Sequence, residues 1–92
     1  MSERIMTLHP DGKQGVNIEK EKYEAMRQAI VAALQAQQPQ TFSGLEQAVS
    51  TQLASNFDGS ISWYFTAVKL DLEARNVVAR VPGTRPQQIR LT

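Results

Sequence analysis

The chain has 92 residues, ten of them basic and nine acidic, and a formal net charge of +1, a size that excludes a second domain. At 41% apolar and 21% charged residues it lies among ordinary globular chains and outside the low-hydrophobicity disordered class. There is no cysteine, so disulfides, thiolate metal sites and thiol redox chemistry are excluded. The first ten residues lack an apolar stretch of signal-peptide length, and no apolar run approaches the ~18 residues of a membrane span. The expectation is a soluble cytoplasmic protein with no membrane contact.

Residues 4–9 read as a short strand, and Pro10-Asp11-Gly12-Lys13 carries the chemistry of a turn, with proline pre-set and glycine free to take positive φ. Residues 15–18 return as the partner strand, giving an N-terminal hairpin over residues 1–18. The phosphate-cradle reading of Gly12-Lys13-Gln14-Gly15 lacks the second half of a P-loop. From 19 to 37, Tyr23, Met26, Ile30, Ala33 and Leu34 recur at helical spacing, with Glu19, Glu21 and Glu24 near the positive end of the dipole. Pro39 ends that helix. Thr41-Phe42 can supply a short strand with Phe42 as a core anchor, and Ser43-Gly44-Leu45-Glu46 fits a capping box that starts a second helix. Residues 55–59 form the turn to a third helix, which runs to Arg75-Asn76, where asparagine suits the left-handed cap.

The third helix organises the rest. Ile61, Phe65, Val68 and Leu72 stack on one core face. Trp63, Ala67, Leu70 and Ala74 make a second apolar row, expected to lie under the N-terminal hairpin. Ser62, Thr66, Lys69 and Glu73 fall on a polar strip, expected to be the helix's one wet face. The 19–75 segment is therefore a three-helix core. Residues 77–92 follow as a two-strand ribbon, in which pairing Val81 with Gln87, Ala79 with Ile89 and Val77 with Leu91 places the apolar residues on one face. Val78, Arg80, Gln88 and Arg90 then share the outer face. Positive charge concentrates here: residues 75–92 hold four arginines and no acid, while residues 1–74 hold six bases and nine acids.

The order helix, short strand, capped helix, turn, helix and two-strand ribbon over residues 20–92 resembles the winged helix-turn-helix superfamily. Leu8-His9-Pro10-Asp11-Gly12-Lys13, Val68-Lys69-Leu70-Asp71-Leu72-Glu73-Ala74-Arg75 and Val81-Pro82-Gly83 through Arg85-Pro86-Gln87 are similar to a family of short uncharacterised bacterial proteins with that fold. The resemblance implies an α+β domain: a three-helix winged helix-turn-helix with a C-terminal two-strand wing and an added N-terminal β-hairpin. Winged helices commonly bind duplex DNA through the third helix and the wing. That makes Ser62, Thr66, Lys69 and Glu73, with Arg80, Arg85 and Arg90, the candidate nucleic-acid contacts. Arg85, at the tip, is the leading single candidate.

Two functions from different classes stand open. One is a nucleic-acid-binding module that uses the polar strip and the basic ribbon. The other is a protein-interaction or homodimerisation module that uses Trp63 and Leu70, with no nucleic acid bound. For Trp63 itself, a stacking platform, a dimer contact and core beneath the hairpin are the alternatives. No catalytic constellation emerges. His9 lacks a second base, and Asp71 and Glu73 stand two residues apart on a helix and do not face each other. Neither a metal nor a cofactor is expected.

Overall fold

A computed structural model describes residues 3–54 and 56–92; Ser55, which belongs to the turn read before the third helix, and residues 1–2 of the hairpin lie outside them. Strands β1 (Arg4–Met6) and β2 (Asn17–Glu19) form the N-terminal hairpin, antiparallel with Ile5 opposite Ile18. Gly12 takes φ 75°, as a turn glycine should. Gly15 meets a different need. A β-carbon there would lie 1.8 Å from the carbonyl oxygen of Thr7, so only glycine lets the two arms close. They do so through Thr7 N–H to Val16 O at 2.8 Å and Val16 N–H to Thr7 Oγ1 at 2.9 Å.

Helix α1 (Lys20–Ala36) follows without a break and buries Tyr23, Met26, Ile30, Ala33 and Leu34, the row read from periodicity, together with Ala29. Then come β3 (Gln40–Thr41), α2 (Phe42–Leu53), α3 (Ile61–Ala74), β4 (Val78–Arg80) and β5 (Gln88–Leu91). The three late strands form an antiparallel sheet in the order β3-β5-β4. The architecture is α+β, with three helices and two small antiparallel sheets. Its core joins Met26, Ile30 and Leu34 of α1 to Leu45 and Val49 of α2 and to Phe65, Val68 and Leu72 of α3, and is closed from the sheet by Val78 and Ile89.

Two local readings need correction. Helix α2 is capped by Thr41, whose Oγ1 accepts from Gly44 N–H at 3.1 Å; the capping box at Ser43 does not form. Pairing of Thr41 with Gln88 holds Thr41 extended, which aims its hydroxyl at the first turn and makes Ser43 already helical. Phe42 packs edge-on against Phe65 with ring centroids 5.1 Å apart.

The ribbon is displaced by one residue from the expected register: Val78 faces Leu91, Ala79 faces Arg90 and Arg80 faces Ile89. At the tip, Thr84 Oγ1 donates to Val81 O at 2.9 Å and accepts from Gln88 N–H at 3.3 Å, so the loop spans 82–87 and absorbs the extra residue. Strand β5 keeps its expected faces, whereas β4 exchanges them, because a slip of one reverses a period-two pattern. Val78, read as outward, is 1% exposed.

At its other end α3 closes as expected. Asn76 has φ 62°, and Val77 N–H and Asn76 N–H return to Leu72 O and Glu73 O at 2.9 and 3.1 Å, the pairing of a left-handed helix terminus.

Candidate interaction surface on the third helix

The polar strip of α3 is not a single wet face. Lys69 is 3% exposed, and its Nζ lies 2.7 Å from Glu73 Oε1 and 3.1 Å from Gln87 Oε1, with the Phe42 ring centroid 5.5 Å away. Four residues is the spacing at which helical side chains meet, and β5 with its preceding loop closes over the pair. Arg80 completes the group: its Nε and Nη2 donate to the two carboxylate oxygens of Glu73 at 3.1 and 3.3 Å. The displaced register accounts for this, since Arg80 shares the side of β4 that Val78 occupies and so points toward α3 rather than outward. The hydrogen bond to Glu73, then its charge, raises the guanidinium pKa above its ordinary value.

The seven candidate nucleic-acid contacts therefore separate. Lys69 is enclosed and Arg80 is paired with Glu73. Ser62 and Thr66 are exposed at the start of the helix, where Thr66 Oγ1 donates to Ser62 O at 3.1 Å. Arg85 is exposed at the tip, and Arg90 is exposed on β5 with Nη1 donating to Leu91 O at 3.1 Å. Among the described residues neither of these two arginines pairs with an acid.

Asp71, which the sequence reading tested only against Glu73, is a buried junction. Its carboxylate is fully enclosed and accepts from Tyr23 Oη, from Leu8 N–H at 2.8 Å and from Arg75 Nε at 2.9 and 3.0 Å. One side chain thus ties the hairpin, α1 and the end of α3 together. Burial, and then the hydrogen bond to Asp71, pushes the Tyr23 phenol up to about 12. Arg75's own hydrogen bond to Asp71 raises the guanidinium above its ordinary value. The legible signal was an acid inside an apolar helical stretch with an arginine four residues on.

The second apolar row opens to solvent where it was expected to be covered. Trp63 is 49% exposed. The hairpin is anchored to α3 at Asp71, eight residues and roughly 12 Å further along the axis, and of the row it reaches Ala74, Leu70 and Ala67 but not Trp63. There Leu8, His9, Val16, Ala67 and Leu70 line a depression of about 70 Å³. Trp63 leans instead on Tyr64, with centroids 4.9 Å apart, and Tyr64 rests against Phe57 at 5.1 Å and under Lys22 Nζ at 5.3 Å. Leu8 and Met6, exposed at 45% and 52%, continue the row past Leu70; they share a second hollow with Ala74. Trp63, Ala67, Leu70, Leu8 and Met6 form one apolar strip, with Lys13 in the hollow beside Met6 and Leu8.

Among the described residues, no three of His, Cys, Asp and Glu gather as metal ligands, and no helix is long and apolar enough to cross a membrane. His9 is occupied locally, its Nδ1 accepting from Asp11 N–H at 3.1 Å. The elements define a small α+β domain whose third helix carries an open apolar strip. Residues 4–89 match the family of unknown function DUF6958, and the chain belongs to that family. No curated protein and no solved structure matches it.

Proposed function

We propose that the protein is a winged-helix domain that works by docking a protein on the Trp63 strip rather than by reading nucleic acid. In support of the winged-helix reading, a short strand between the first two helices pairs with the last strand of the ribbon, and the third helix lies directly before that ribbon. The observation that carries the docking reading is the convergence of Trp63, Leu8 and Met6, the exposed large apolar side chains among the described residues, on one strip. Exposed apolar surface of this kind costs solubility and marks contact sites, and tryptophan is prominent among residues that dominate interfaces.

The competing nucleic-acid reading retains Ser62, Thr66, Arg85 and Arg90. Two arginines without an acidic partner among the described residues make a small electrostatic footprint, because each phosphate contact adds only about 0.9 to the salt slope of binding. The test is to place a photo-reactive benzophenone amino acid at position 63 and irradiate the cells that make the protein. The docking reading predicts adducts with protein and no retardation of duplex DNA in gel shifts, even at about 50 mM salt. Adducts with nucleic acid, or salt-sensitive DNA binding lost in Arg85→Ala, would reverse the conclusion.

A further inference from the structure

We propose that the tip of the N-terminal hairpin, residues 8–15, is a hinged cover over α3, latched by Leu8 N–H to Asp71, which lifts while the hairpin's base and the helical core stay folded. Base and tip are held by different means. At the base, Ile18 is 2% exposed and Ile5, paired with it across the two strands, packs against the core, so lifting the base would return large apolar side chains to water. At the tip, no apolar side chain among the described residues belongs to the core or packs against it, and Leu8 and residues 10–14 are exposed.

Where the tip turns toward the body it meets hollows. One of about 70 Å³ separates Gln14 from Leu70, one of about 560 Å³ lies between Lys13 and Ala74, and one of about 320 Å³ lies between Asp11 and Arg80, whose charges are felt across it without an ion pair. Side chains that line unfilled space forgo the contacts that close packing would give. Among the described residues a single hydrogen bond, Leu8 N–H to Asp71 Oδ1 at 2.8 Å, ties the tip to the rest of the molecule. Its release strands neither partner: the amide turns to water, and Asp71 keeps the Tyr23 hydroxyl and the Arg75 guanidinium. The hinge falls at Thr7 and Val16, where the arms close only because Gly15 has no β-carbon. Lifting the tip uncovers the rest of Ala67, Leu70 and Ala74 and joins them to Trp63 in one apolar ridge, roughly 16 Å long. What the bared ridge does rests on the docking reading, since it sets how much of α3 a partner meets; the motion itself belongs to the free chain.

Residue-resolved amide hydrogen exchange of the wild-type chain, with no partner present, measures the motion. The Leu8 amide should exchange at least about a hundredfold faster than those of Ile5 and Ile18 at the base and of Val68 and Leu72 in α3. Low urea should leave its rate nearly unchanged while accelerating the core, because a local opening exposes little surface. Gly15→Ala places a β-carbon 1.8 Å from Thr7 O and so forces the arms apart; it should abolish the protection of Leu8 and keep Val68 and Leu72 within about tenfold of their wild-type rates. Exchange of Leu8 in step with Val68 and Leu72, or a Gly15→Ala variant that loses core protection as fully as it loses Leu8, would make the tip part of the cooperative fold and overturn the cover. Ile5 and Ile18 exchanging as fast as Leu8 would overturn the hinge. None of these results touches the docking reading, which the adducts at position 63 decide.

Discussion

The face of α3 that carries Lys69 and Glu73 is polar in sequence and enclosed in the fold, whereas the face that carries Trp63 is apolar and half open. What lies opposite each face accounts for the reversal. The ribbon returns over Lys69 and Glu73 and supplies Gln87 and Arg80 as partners, so the charges lose water but not their hydrogen bonds. The hairpin, anchored at Asp71, stops short of Trp63. Residue type alone therefore misplaces both faces, because burial is decided by which neighbouring element reaches a position and whether it brings polar partners.

This comparison can be broken most forcefully at the hairpin's anchor. Asp71→Ala removes a fully buried carboxylate and leaves the Tyr23 hydroxyl and Leu8 N–H without their acceptor, while the exposed Arg75 returns to water, and should cost about 2–5 kcal/mol in urea unfolding. A cost near that of a surface substitution would mean the hairpin is held by something else. The same junction can be read through pH. The unfolded chain releases the Tyr23 proton near 10.0 and the folded chain holds it to about 12, so stability should be fully present below pH 10 and fall as pH rises through that window. The loss should reach about 2–3 kcal/mol, and Tyr23→Phe should flatten the slope.

On the enclosed polar face, Lys69→Met leaves Glu73 with only the half-exposed Arg80 and should cost about 1–3 kcal/mol. Adding Glu73→Leu should recover most of it, since a buried ion pair is often replaceable by apolar residues. If Lys69 were instead a wet groove contact, the single substitution would leave stability unchanged. At the open face, Trp63→Lys should shift stability by no more than about 0.5 kcal/mol, the smallest effect of the set; a loss of several would place the indole in the core.

Much of the fold was legible because its signals are local and periodic. The buried row of α1, the hairpin turn at Gly12, the left-handed cap at Asn76 and the core face Phe65, Val68 and Leu72 follow from spacing and turn chemistry. The misreadings all turned on contacts between distant segments. Thr41 outcompetes Ser43 as a cap because β5 holds it extended. The ribbon register turned on Thr84, whose hydroxyl accommodates one more residue in the tip than the apolar pattern required. Through that ribbon Lys69 became enclosed and Arg80 turned toward Glu73, which no helical wheel contains. Asp71 was overlooked because its partners Tyr23 and Leu8 stand 48 and 63 residues away in sequence.

The open face can be measured directly, because the chain's single tryptophan stands on the strip. Acrylamide quenching of its emission, measured at the lowest usable concentration, reports the exposure of Trp63 in the folded chain. The account predicts a red-shifted, strongly quenched indole in the folded protein, because the hairpin anchored at Asp71 leaves Trp63 half exposed. An indole that is blue-shifted and shielded at the lowest concentration, and released only on unfolding, would contradict it.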